Sequence, residues 1–241
     1  IYGLSSVVGR LLNYLLVPLY TRYFLPAEYG VVTELYAYVA FLVIILTYGL
    51  ETAFFRFSKK ENDVKVVYST ALISLIVSSI IFVVLMFVCS SSIASWMGYA
   101  GHTEYIEWFA IIIALDAVSS ISFARLREQD KAVRFALVRL LNIFVNIGLN
   151  LYFIVSQEFG IEYIFIANLI ASIVTLVLLF PEMINSSWRF DKVLWKKMMI
   201  YALPLLIAGL AGMTNETIDR VLLKQIEQSV NIYEDYAIKL Q

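Results

Sequence analysis

Long, unbroken apolar stretches alternate with short polar segments along the whole chain. An α-helix needs about 20 mostly apolar residues to cross the roughly 30 Å hydrocarbon core of a bilayer. Seven stretches of that kind occur, at about 2–20, 31–50, 66–89, 105–123, 136–156, 162–182 and 198–222. The third is the clearest, because no Asp, Glu, Lys or Arg lies between Lys65 and Glu104. Leu140 to Gln157 and Tyr163 to Pro181 are equally free of those four residue types. Membrane strands would alternate apolar and polar positions with period two, whereas these runs are continuously apolar and too long. The pattern therefore predicts an all-α polytopic membrane protein.

The polar segments give the topology. The segment after the second span carries Arg56, Lys59, Lys60 and Lys65, the one after the fourth Arg125, Arg127, Lys131 and Arg134, and the one after the sixth Arg189, Lys192, Lys196 and Lys197. The alternate segments carry Arg22 alone, so the count is twelve against one. Basic residues collect on the cytoplasmic side. Cytoplasmic loops are expected at 56–65, 124–135 and 186–197, with the start of the first span in the cytoplasm. Trp96, Tyr99, Tyr105 and Trp108 around one outer loop, and Trp188 and Trp195 around an inner one, suit interfacial belts.

Composition excludes other classes. The chain of 241 residues is 61% hydrophobic and 15% charged, against about 45–50% and about 25% in soluble domains. Eighteen Lys and Arg against nineteen Asp and Glu leave a formal charge of −1, which gives no footprint for nucleic acid. A single cysteine, Cys89, and a single histidine, His102, exclude an intrachain disulfide framework and clustered Cys or His metal ligands. Cys89 is expected to act as a small hydrophobe and His102 as an exposed loop residue. No P-loop and no grouping of nucleophile, base and orienting acid is present, so neither enzyme activity nor a cofactor is expected. The chain begins at Ile1 rather than Met and ends at Gln241, and is expected to be a piece of a longer protein.

Polar residues inside spans are costly, about 2.5–3.5 kcal/mol for a central charge on insertion scales, and so are functional candidates. Arg10 shares a helix face with Ser6 and Asn13 in the first span; it either faces a wet cavity or snorkels. Asp116 lies in the fourth span with Ser119 and Ser120 at i+3 and i+4; it is a candidate ion-coupling site or the structural partner of an arginine. The seventh span holds Pro204, Gly209 and Gly212, then Asn215, Glu216, Asp219 and Arg220. Its proline removes a backbone donor, and a kinked or broken helix lining a substrate path is expected. Glu216 with Arg220, and Asn215 with Asp219, can pair at i,i+4. Glu51 and Arg56 flank the inner end of the second span, where Arg56 fits the positive-inside pattern.

Two places read alike. Thr21-Arg22-Tyr23-Phe24-Leu25 with Tyr29-Gly30-Val31-Val32 parallels Asp219-Arg220-Val221-Leu222-Leu223 with Val230-Asn231-Ile232-Tyr233. Each follows a proline-bearing, outward-running span. A six-helix unit that begins again at the seventh span would give two parallel repeats related by an axis along the membrane normal. The expected organisation is a six-helix lobe over 1–185, a cytoplasmic linker over 186–197, and the start of a second lobe over 198–241.

The stretch Gly3-Leu4-Ser5-Ser6 through Asn13-Tyr14-Leu15-Leu16-Val17-Pro18-Leu19-Tyr20-Thr21-Arg22, followed by Leu25-Pro26-Ala27-Glu28-Tyr29-Gly30, resembles the opening of bacterial polysaccharide-biosynthesis flippases of the MOP superfamily. Phe123-Ala124-Arg125-Leu126-Arg127 is similar to their second inner loop, and Tyr201-Ala202-Leu203-Pro204-Leu205 with Asp219-Arg220 to the start of their second lobe. The resemblance implies a MATE-like fold in the bacterial inner membrane. It also implies movement of undecaprenyl-diphosphate-linked oligosaccharide between leaflets by alternating access, among membrane lipids and polysaccharide-assembly proteins. The expected translocation path holds Arg10, Asn13, Asn215 and Arg220, with Asp116 and Asp219 as ion-coupling candidates. The alternative is a cation-coupled multidrug or small-molecule exporter of the same fold, which would favour acids over arginines in its lumen.

Overall fold

The computed structural model describes residues 16–61, 63–99 and 101–214. All the regular elements among them are helical: α1 (Leu16–Tyr23), α2 (Pro26–Thr47), α3 (Leu50–Ser58), α4 (Val64–Trp96), α5 (Thr103–Glu128), α6 (Ala132–Asn150), α7 (Glu162–Ile184) and α8 (Lys192–Thr214). A π-helical turn, Leu151–Ser156, extends α6. Six helical segments, with α2 and α3 counted as one, are long and apolar enough to span a membrane. The chain is a multi-pass all-α membrane protein, as its apolar pattern predicts. Only the tail of the first expected span is described, as α1. The seventh is described to Thr214.

Local sequence sets the helix ends. Pro26 opens α2, and the Glu28 side chain accepts a hydrogen bond from the Leu25 backbone N–H at 2.9 Å. Pro-x-Glu is thus a helix start: the proline needs no N–H partner there, and the carboxylate faces the positive end of the helix. Asp63 caps α4 by accepting from the N–H groups of Lys65 and Val66. Asp191 caps α8 through Val193 and Leu194. Tyr48 (φ 35°) and Gly49 (φ 71°) are both left-handed, and they separate α2 from α3.

The helices outrun the predicted spans. α4 has 33 residues, about 50 Å at 1.5 Å per residue, well beyond the hydrocarbon thickness. Apolar counting finds only the part inside hydrocarbon, and the helices continue through the interface. The connections are correspondingly shorter than expected, 59–63, 129–131 and 185–191. These three lie at one end of the bundle, where Ser187 bonds the Lys65 carbonyl and Arg125 the Asn185 carbonyl. We call this the basic end. The broken seventh helix is a further correction: α8 is continuous from 192 to 214. Pro204 lies on its exposed side.

α5 is the central helix. It packs against α2, α3, α4, α6 and α7. Ala110, Ala117 and Ala124, seven residues apart, are fully buried and let neighbouring backbones approach closely, as small residues do between membrane helices. One apolar cluster joins α3, α4, α5 and α8 through Leu50, Phe54, Tyr68, Leu72, Ile121 and Met198. A second, at the opposite end, joins α1, α2, α5 and α7 through Tyr20, Leu35, Phe109 and Phe165.

Candidate functional site: a charged cavity in the bundle

A cavity of about 620 Å³ opens among α2, α3, α5, α6 and α7. It reaches from Asp116, in mid-α5, to Arg127, in the last turn of that helix. α5 contributes Asp116, Ser119, Ser120, Phe123 and Arg127; α6 contributes Phe135, Arg139 and Asn142; α7 contributes Asn168, Ser172 and Thr175; Glu51 and Val43 complete the wall.

Helical periodicity makes this lining. Asn168, Ser172 and Thr175 stand at i, i+4 and i+7, and so share one face of α7. Arg139, Asn142, Asn146 and Asn150 form a matching stripe on α6. The two stripes meet: the Asn142 amide donates to the Ala171 carbonyl at 3.0 Å and to Thr175 Oγ1 at 2.9 Å. At the far end of the α6 stripe, Tyr20 donates its hydroxyl to Asn150 Oδ1 at 3.0 Å. That bond ties α1 to the bundle.

Asp116 accepts a hydrogen bond from Ser172 Oγ at 2.8 Å. Arg139 lines the same cavity. The Arg139 guanidinium lies 5.4 Å from the Phe123 ring centroid and 5.8 Å from that of Phe135. Arg127 approaches Phe135 from 5.7 Å and Phe55 from 5.2 Å, and its Nη2 donates to Glu51 Oε1. Aromatic faces of this kind hold guanidiniums in place by cation–π attraction.

Two of the arginines predicted to lie in loops are therefore internal. Arg127 faces the cavity. Arg125 is 5% exposed; it donates to the carbonyls of Glu182 (2.7 Å) and Asn185 (3.0 Å) and lies 4.2 Å above the Tyr68 ring. Arg134 pairs with the buried Glu182 at 2.9 Å. Arg56, expected only as a topology charge, covers the Tyr201 ring at 4.1 Å. Trp195, expected as a belt residue, donates Nε1 to Ser74 Oγ at 2.8 Å. His102 is half-exposed beside Glu104, as expected, and Cys89 is exposed on α4.

A family model described as polysaccharide biosynthesis protein matches residues 1–237. The chain belongs to that family. No curated protein and no solved structure matches it. The match covers the residues on which the resemblance rests, and with the six membrane-length helices it makes this a membrane protein of polysaccharide biosynthesis.

Of the residues singled out from the sequence, Glu51, Asp116, Ser119 and Ser120 lie on the cavity. Arg10, Asn13, Asn215, Asp219 and Arg220 lie outside the described residues, as do Ser6, Glu216 and the second half of the internal repeat. Sequence reasoning missed Arg139, Asn142, Asn168, Ser172 and Thr175. The signal was available as polar positions recurring at 3.6-residue spacing inside otherwise apolar helices. Attention to charge-free runs passed over it, because Arg139 stands one residue before such a run and amides and hydroxyls carry no charge.

Proposed function

We propose that this chain forms the first lobe of a flippase that moves lipid-linked oligosaccharide across the bacterial inner membrane by alternating access. The basic end faces the cytoplasm, the connection 185–191 links the lobes, and α8 opens the second lobe. The observation that carries the reading is the meeting of two polar helix stripes and two arginines in one cavity within an apolar helical bundle.

A diphosphate-sugar head is anionic and rich in hydroxyls, so its passage needs a wet path with fixed donors. Arginine suits the phosphates because its planar fork binds two oxygens at once and stays charged. Arg139 and Arg127 supply that fork at the cavity. The Asn168 amide and Asn142 Oδ1 offer polar groups of the kind that sugars pair with. Arg10, Asn13, Asn215 and Arg220 are the further residues assigned to this path. The lipid tail stays in the bilayer, and no covalent step is required.

The test is export of lipid-linked oligosaccharide per folded molecule of the full-length protein. Arg139→Ala should abolish export, and Arg139→Lys should restore only part of it. Undiminished export by Arg139→Ala would remove the cavity from the path. A second reading, cation-coupled export, is favoured by one observation: Asp116 is held by Ser172 on the same cavity wall. Asp116→Asn should then remove ion dependence and leave substrate binding intact. Lower protein amount with unchanged specific export would make Asp116 a structural anchor instead.

A further inference from the structure

We infer that Glu51 is a resident carboxylate that occupies Arg127 until the phosphate of an anionic cargo displaces it, and that its release moves α3 together with α8. The inference rests on the flippase reading above and names how its cavity is regulated.

Among the described residues, four charged side chains line the cavity: Glu51, Asp116, Arg127 and Arg139. Their formal charges cancel. These four charges together offer no net attraction to a diphosphate, so this part of the path holds the anion well only once one of its two arginines is freed. Arg127 is the one already engaged, by the ion pair with Glu51. A cargo phosphate presents the same kind of oxygen acceptor to the same fork, with more charge and more acceptors. Both partners of the pair are about one-third exposed to the cavity. The exchange therefore needs no passage of a bare charge through apolar packing. Arg127 Nε is buried and has no hydrogen-bond partner among the described residues, so Glu51 uses only part of the fork.

The backbone allows Glu51 to leave. It sits in the first turn of α3, directly after Tyr48 and Gly49. Two successive left-handed residues interrupt the helical ladder between α2 and α3, and so form a joint at which few torsions need change. α3 is also fastened to α8. A Cβ at Gly49 would lie 2.8 Å from the Ala202 carbonyl oxygen, so the joint and α8 are in direct backbone contact. Farther along α3, Arg56 lies over the Tyr201 ring, and Phe57 packs on that ring at 6.4 Å between centroids. Movement of α3 at its joint carries α8 with it. Filling the cavity is thereby linked to the helix that leads out of this bundle.

The experiment uses the full-length protein in nanodiscs, with farnesyl diphosphate as the probe. Glu51→Gln keeps the shape of the side chain and removes its charge. It should tighten probe binding by about tenfold, and Glu51→Asp, which keeps the charge, should bind like the wild type. In a Cys89→Ser background, spin labels at Lys59→Cys and Gln129→Cys should change separation on probe addition, while Lys59→Cys and Lys196→Cys keep theirs. Wild-type binding with no tightening in Glu51→Gln would overturn the resident-carboxylate role. Tightening without a change at 59 and 129 would overturn the linked motion. Failure of both wild type and Glu51→Gln to bind the probe would instead remove the flippase reading on which the inference rests.

Discussion

α4 and α5 are both long apolar helices, and the bundle treats them in opposite ways. The best 18-residue window of α4 has a mean hydropathy of 3.0 and is 17% buried, while that of α5 has 1.8 and is 72% buried. The more hydrophobic helix is the outer one. In water this order would be reversed, because burial of apolar surface drives folding there. In a bilayer the tails are as apolar as leucine, and helices associate through close packing and hydrogen bonds. α5 wins the centre with alanines at seven-residue spacing, serines, and a carboxylate that needs partners. α4 turns Ile80, Ile81, Val84, Leu85 and Val88 outward, where lipid accepts them.

That contrast can be broken most severely at the basic end of α5. Arg125→Ala leaves the Glu182 and Asn185 carbonyls without their donor and should lower stability in detergent by about 3 kcal/mol, given that hydrogen bonds to charged groups contribute about 1.5–3 each. Arg189→Ala, in the exposed connection before α8, should change it by less than about 0.5 kcal/mol. Equal losses in thermal melts of the two variants would return Arg125 to the role of a loop charge.

A packing test comes next. Ala117→Leu inserts three carbons where α5 is fully buried and should cost about 1–3 kcal/mol from overpacking. Val84→Leu on the lipid face of α4 should leave the melting curve unmoved. A cost at Val84 equal to that at Ala117 would contradict the assignment of α4 as the outer helix.

Gly49→Ala probes the joint that lets α3 reach α5. The position has φ 71°, and the new Cβ would meet the Ala202 carbonyl oxygen at 2.8 Å. A loss of about 1–2 kcal/mol is expected from the strained backbone and the contact, against none for alanine at Gly148, where the added atom meets open space.

The smallest effect belongs to the polar stripe. Ser172→Ala removes one hydrogen bond to Asp116, and such bonds between membrane helices average about 0.6 kcal/mol. Stability should fall by roughly that amount. A much larger loss would show that Asp116 depends on Ser172 alone.

The sequence by itself determined the membrane class, the order of the spans and the family. Twenty-residue apolar runs admit few other structures in a bilayer, and Pro26 with Glu28 marks a helix start through local chemistry alone. It could not tell which apolar helix is central, since hydropathy does not sort helices inside hydrocarbon. Nor could it separate Arg125 and Arg127 from Lys131 and Arg189. All four look like loop charges until the helix is seen to run on to Glu128, which puts the first on carbonyls of the α7 terminus and the second in the cavity. The pairing of Glu51 with Arg127, 76 residues away, and of Asp116 with Ser172, 56 residues away, depends on which helix faces meet. Only tertiary packing decides that, because each polar stripe repeats with the helical period on its own helix and carries no record of its partner.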